Sequence, residues 1–431
     1  MSFIFSAIEY LQRCLADGLP HAPGLRCFDV NVPLTDGFDA LGWLAGQPHF
    51  PQFYWQQRSG DEELAMLSSL RDFPSLATAQ QFLRQYPSLS DIRIGGLNAF
   101  APDAGALFLP RLTWWRHGST ATLRLSLYSD HSLADDATLA QAFLGSLVAS
   151  APFDTLHPVL TTQHHHPDKQ GWQLLLGQAL TAIDRGELDK VVLARASDYT
   201  FEEPVSAAGL MAASRRLNHH CYHFYFAFSA GLAFLGSSPE RLWRRRGLQL
   251  RTEALAGTVA SHADDRHAQA LGEWLMKDDK NQRENMLVVE DICQRLQRTV
   301  ALMDVLPPQV VRLRKVQHLR RCIWTELREA DDEECLLQLQ PTAAVAGLPR
   351  EKAREFLDQH EPFAREWYAG SAGYLSLQQS EFCVALRSAK VCGNVVRLYA
   401  GAGIVRGSDA EQEWQEIENK AAGLRSLLLM D

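Results

Sequence analysis

The sequence predicts an α+β protein in which large antiparallel sheets are flanked by helices. Apolar runs of strand length crowd into two stretches, about 190–255 and 372–400, and a long helical stretch at about 264–298 lies between them. Strand and helix nowhere alternate in the regular βαβ manner of a parallel sheet, and there is no internal repeat or low-complexity tract.

Taken in order, residues 1 to about 160 read as a mixed segment, with strands near 107–109 and 121–128 and a helix near 136–149. Thr161-Thr-Gln-His-His-His-Pro-Asp168 follows. Adjacent histidines rarely converge on one metal ion, and Pro167 marks the run as a surface connection. After Trp172 a helix to about residue 185 leads into strands at 190–200, 223–228, 232–237 and 248–255. The helical stretch comes next, then strands at 372–377, 382–391 and 394–400. No Gly/Ser/Pro linker accompanies the histidine run, so 1–431 reads as one intertwined domain.

The chain closes on Ala400-Gly-Ala-Gly-Ile-Val-Arg-Gly-Ser408. Glycines at 401, 403 and 407 predict a loop whose backbone can approach a ligand closely. Ser408 with Glu411 has capping-box spacing, and no Gly or Pro interrupts the following helix before Gly423. Glu413, Glu416 and Lys420 then share one helical face. Two carboxylates and an amine beside such a loop suit a divalent cation and an anionic ligand; the same face, taken alone, is also an ordinary solvated surface.

Composition narrows the class. At 431 residues, 46% hydrophobic and 22% charged, the chain has the make-up of a soluble globular protein. Lys plus Arg number 42 against 51 Asp plus Glu, and the net charge of −9 argues against nucleic acid and anionic membranes as partners. The eight cysteines (14, 27, 221, 293, 322, 335, 383 and 392) are scattered, without CxxC pairs or zinc spacing, which fits a reduced cytoplasm. The first residues carry no early Lys or Arg and meet Glu9 before a signal-peptide core could form, and no apolar run is long enough to span a membrane.

Several blocks recur as an ordered set: Lys190-Val-Val-Leu-Ala-Arg195, Phe234-Leu-Gly-Ser-Ser-Pro-Glu-Arg-Leu242, Thr252-Glu-Ala-Leu-Ala-Gly-Thr258, Asp279-Lys-Asn-Gln-Arg-Glu-Asn-Met-Leu-Val-Val289 and the C-terminal glycines and helix. With Gln340-Pro-Thr-Ala-Ala-Val-Ala-Gly347, Tyr368-Ala-Gly-Ser-Ala-Gly-Tyr374 and Cys383-Val-Ala-Leu-Arg387, they resemble the chorismate-utilising enzymes, and most of all the isochorismate synthases of the menaquinone branch. The resemblance covers roughly 170–428, the chorismate-binding catalytic part, and leaves 1–165 as the family-variable part. It implies the anthranilate synthase component I-like fold, a Mg²⁺ cofactor, and water addition at C2 of chorismate with loss of the C4 hydroxyl. It implies no obligatory glutaminase subunit.

The resemblance also assigns roles. Lys190, by itself a solvated strand-end lysine, becomes the base that activates water, where aminating relatives carry Gln. Glu240, otherwise a turn glutamate paired with Arg241, becomes the acid that protonates the departing hydroxyl, which requires a raised pKa. Glu284 and Glu416 become Mg²⁺ ligands, with Glu413 acting through metal-bound water. Arg387, read on a strand, grips one substrate carboxylate with Tyr368, while Lys420 and the Ala402/Gly403 backbone hold charge elsewhere and Gly257 and Thr258 meet the ring. Ala256 stands where aminodeoxychorismate synthases keep a nucleophilic lysine. Ala344 stands where salicylate synthases carry Thr, so the implied reaction stops at isochorismate. Asn285 and Gln340 replace the family's usual histidines; Asn285 is expected to tune its neighbourhood without removing the site. Pro51-Gln-Phe-Tyr-Trp55 and Gly95-Gly-Leu-Asn-Ala-Phe100 look like further family elements, or are core aromatics and a turn. The rival functions are a salicylate synthase and a catalytically silent chorismate-binding paralogue.

Overall fold

The computed structural model describes residues 2–34, 38–150, 152–153 and 156–429; Met1, included in the N-terminal reading above, lies outside them. Its strands form a continuous antiparallel network. One sheet runs through Gly24–Val32, Thr120–Ser129, Gly105–His117, Glu62–Phe73, Gln52–Gln56, Tyr222–Ser229, Leu232–Ser238, Ser388–Cys392, Val395–Ile404, Lys190–Phe201 and Leu160–His166. A second leaves the start of Gly105–His117 through Ile94–Asn98, Ser371–Leu375, Gln379–Val384, Arg241–Arg246, Gln249–Ala260 and Val316–Leu327. Gly105–His117 thus belongs to both sheets. Among the described residues no helix is long and apolar enough to cross a membrane.

Strand alternation explains the packing. Phe53 and Trp55 point between the two sheets while Tyr54 points to the opposite face, and Phe224 and Phe226 alternate likewise with Tyr225 and Ala227. Trp55 meets Tyr374 of the second sheet edge-on, with centroids 5.4 Å apart. The outer face of the first sheet is covered by helices Ser2–Leu15, Ala40–Ala45, Leu133–Gly145 and Ala207–Leu217. The motif at 51–55 thus enters a core strand, Gln52–Gln56, and that at 95–100 runs along the strand Ile94–Asn98 and leaves it at Ala99. Gly96 is needed there, since a Cβ would stand 2.1 Å from the Ala106 carbonyl.

Several expectations are corrected. The helical stretch at 264–298 is two helices, Asp265–Leu275 and Asp279–Leu296, because the Asp278 side chain caps the second by accepting from the Asn281 amide. The strand expected at 382–391 is two, ending at Val384 and resuming at Ser388. Gly401 and Gly403 lie in the strand Val395–Ile404, and only Gly407, at φ +85°, sits in a loop. The last helix, Ala410–Leu428, is capped by Asp409 and not by Ser408, and passes through Gly423. The histidine run is an edge strand, Leu160–His166, with His165 bonded to Ser197 and His166 3.4 Å from Asp198.

Candidate active site

The site lies where the second sheet, the helix Asp279–Leu296 and the last helix meet the strands Lys190–Phe201 and Val395–Ile404. Its cavity, of about 60 Å³, is lined by Glu240, Gly257, Thr258, Glu284, Ala344, Tyr368, Arg387, Gly401, Gly403 and Lys420. A larger cavity of about 590 Å³, between Gly42 and Val391, is lined by no charged side chain and offers an anionic ligand nothing to pair with.

Lys190 opens its strand but is only 1% exposed, and its Nζ lies 3.0 Å from Oε1 of Glu284. Both need Gly403: a Cβ there would stand 2.8 Å from Glu284 Oε1 and 3.0 Å from Lys190 Cε. Gly401 similarly makes room for the Tyr368 hydroxyl, 2.8 Å from where its Cβ would be. In both places glycine inside a strand marks a close approach.

Glu240 follows Pro239 in the turn between Leu232–Ser238 and Arg241–Arg246 and is 2% exposed. Its Oε1 has no hydrogen-bond partner. Burial, helped by the charge of Glu253, pushes its carboxyl up to about 8 against the opposing pull of Lys190, Lys420 and Arg387. The acid is thus protonated at neutral pH and stands beside Lys190, Lys420 and Arg387.

Arg387 occupies the break between two strands, with φ +48°, in place of the regular strand position expected. Its Nη2 lies 2.8 Å from His318 Nε2, and His318 Nδ1 lies 3.0 Å from Thr258 Oγ1. Burial, reinforced by the charges of Arg387 and Lys420, holds His318 well below its ordinary value, so it is neutral. Sequence reasoning missed His318, because its partners are 60 and 69 residues away. Tyr368, stacked on Tyr399 with centroids 5.1 Å apart, is pushed up to about 12 by burial and remains a neutral hydroxyl.

On the last helix, Lys420 bonds Glu416 at 2.6 Å and donates to the Gly401 carbonyl at 2.9 Å. Glu413, one turn earlier, is pushed up to about 7 by burial and by the charge of Glu416. A bulge between Leu255 and Thr258, with Gly257 at φ +87°, turns the Thr258 amide toward Asn281 Oδ1 at 3.0 Å. Asn285 is wholly buried; it donates to the carbonyls of Ala254, Ala256 and Leu319 and accepts from Arg321, tying Glu284's helix to the strand that carries this bulge. Gln340 donates to the Ala99 carbonyl at 2.6 Å. Ala402 points into the core, on the opposite face of its strand from Gly401 and Gly403, which border the cavity. Lys190, Glu413 and Glu416 are not among the residues that line the cavity.

Residues 98–429 match the family described as chorismate binding enzyme. The chain belongs to that family. It is 66% identical over 431 residues, the whole of both chains, to the isochorismate synthase MenF of Escherichia coli strain K12. It is 39% identical over 407 residues to the isochorismate synthase MenF of Pasteurella multocida, covering 93% of this chain and 92% of that one. The solved structure of MenF, the menaquinone-specific isochorismate synthase from Escherichia coli, superposes with a TM-score of 0.97 at 66% identity, covering 99% of this chain and 100% of that one. Anthranilate synthase component I from Streptococcus pneumoniae superposes with a TM-score of 0.63 at 19% identity over 95% of this chain and 93% of its own, a likeness of fold alone. The expected α+β, chorismate-utilising fold is the one observed.

Proposed function

We propose that this chain is an isochorismate synthase of the menaquinone branch, acting in the cytoplasm without a glutaminase subunit and with residues 1–431 as one catalytic unit. The observation that carries the reading is a buried acid held protonated in the cavity wall, Glu240, within electrostatic reach of a buried lysine, Lys190. Lys190, acting as the free amine, takes a proton from water as its oxygen bonds to C2 of chorismate. The ring double bonds shift, and the C4–O bond breaks as Glu240 delivers its proton to the leaving hydroxyl, which departs as water. One water enters and one leaves, so the net change is an isomerisation. Arg387 and Tyr368 hold one substrate carboxylate, with Lys420 and the Gly403 backbone on the remaining charge and Gly257 and Thr258 against the ring. Ala256 supplies no amine nucleophile at the cavity wall.

The carboxylates suit Mg²⁺. Glu284 and Glu416 are oxygen donors, each within ion-pair distance of a lysine Nζ, and Glu413, pushed up by burial and then by the charge of Glu416, lies one turn away on the last helix. Among the described residues no three His, Cys, Asp or Glu side chains are grouped closely enough to hold a metal ion, so the shell we assign is Glu284 and Glu416, with water and ligand oxygens completing it and Glu413 reached through water. The ion would supply positive charge to the substrate's ring carboxylate. Chelation by EDTA is expected to silence the enzyme reversibly, and Glu416→Gln to raise the magnesium needed for half-maximal rate. Activity indifferent to EDTA removes the metal from the mechanism.

The reading is tested by incubating the purified protein with chorismate and Mg²⁺ in ¹⁸O-labelled water and separating the products. Isochorismate labelled at C2 is expected, even with ammonium salts present. Salicylate and pyruvate would make the chain a salicylate synthase, an aminated product would place it with the amine-using relatives, and no turnover would make it a silent paralogue.

A further inference from the structure

Arg58 lies in the N-terminal part, outside the residues the family model matches, yet its guanidinium reaches the turn that carries Glu240. Its Nη1 donates to the Pro239 carbonyl at 2.9 Å, and its two terminal nitrogens hold Glu253 at 2.5 and 2.7 Å. Glu253 Oε1 in turn accepts from the Arg241 amide at 2.9 Å. One ion pair therefore ties down the residue before Glu240 and the residue after it. The Glu240 carbonyl accepts from the Val384 amide at 3.0 Å, and its amide lies 3.3 Å from Ser238 Oγ. The backbone is held on every side while the carboxyl is left free in the cavity.

We propose that Arg58 and Glu253 are positioning residues for the reaction, a buried fork and carboxylate that clamp the turn Ser238–Arg241 and so aim the Glu240 carboxyl at the substrate. The inference rests on the isochorismate synthase reading. A side-chain acid works only when held within a fraction of an ångström of its target, and a turn without such a clamp leaves that aim to chance. Glu253 also acts through its charge. Burial opposes its ionisation, but Arg58 and Arg241 hold it below the usual carboxylate range, so it presents a fixed negative charge to Glu240. The other groups facing Glu240 are Lys190, Lys420 and Arg387. Glu284, paired to Lys190, shares the cavity with the neutral His318 and Tyr368.

The two arms of the clamp separate in experiment. Arg58→Lys keeps the charge but replaces the planar two-nitrogen fork by one nitrogen on a shorter stem, so kcat is expected to fall on the order of 10²-fold with KM for chorismate changed little and the alkaline limb of the pH–rate profile unmoved. Glu253→Gln removes the like charge, so kcat is expected to fall and the alkaline limb to move toward acid by about one unit. Should Glu253→Gln not fold, Arg58→Lys decides alone. Wild-type kcat in Arg58→Lys, or a loss confined to KM or to melting temperature, would overturn the proposal. If the wild type itself makes no isochorismate, it is the reading of the function that fails.

Discussion

Replacing Glu240 with Gln is expected to lower isochorismate formation by roughly 10²- to 10⁴-fold, the range for losing a positioned general acid. Gln fills the same volume and keeps the turn, so the loss is chemical. The wild-type rate should fall as pH rises through about 8, because only the protonated carboxyl can donate to the leaving hydroxyl. Folding stability moves in the same window. Below about pH 4.5 folded and unfolded chains both hold this proton; between there and about 8 the folded chain keeps it and the unfolded chain has shed it, so the wild type loses stability as pH rises. Gln has no charge to bury. Melting curves should therefore show Glu240→Gln gaining on the wild type from pH 5 to 8 while product chromatography shows it nearly inactive. A variant turning over within tenfold of wild type would remove Glu240 from the chemistry.

Lys190→Ala is expected to abolish turnover to a comparable extent, as loss of the group that takes the water proton. The structure makes this a sharper test than a strand-end lysine would, because the side chain is buried against Glu284 and reaches no solvent. Glu284, whose side chain keeps 17% of its exposure, can be rehydrated once its partner is gone, so the fold should survive. Circular dichroism and a melting curve verify that. Retained activity within about tenfold, roughly 1.4 kcal/mol of barrier, would exclude Lys190 as the base.

Much of this architecture was legible because it is local. The strands around Lys190, Tyr222, Leu232 and Val395 announce themselves by runs of apolar residues, and the face shared by Glu413, Glu416 and Lys420 follows from helical spacing alone. The raised pKa of Glu240 is the one that the role implied by its motif requires. What escaped was set by distant parts of the chain. Gly401 and Gly403 look like loop glycines until the side chains of Tyr368, Glu284 and Lys190 are seen to need their missing Cβ atoms. The left-handed Arg387 could not be read, since a non-glycine residue adopts φ +48° only when its surroundings impose it. Arg58 carried no signal because its partners are 181 and 195 residues away. The break at Asp278 did have one, an aspartate three residues before Asn281, but strong helix formers on either side concealed it.

The strand Val395–Ile404 is among the last elements of the chain, yet it sits inside the first sheet, paired along one edge with Lys190–Phe201 and along the other with Ser388–Cys392. During synthesis the edge of Lys190–Phe201 therefore waits for a partner while about two hundred further residues are added, some 10–40 s at about 5–20 residues per second. That edge is apolar and buried in the finished protein, the kind of surface that invites pairing with another chain. The nascent protein thus carries an open seam while those residues are made, and the strand that seals it is also the one whose glycines make room for Tyr368, Glu284 and Lys190.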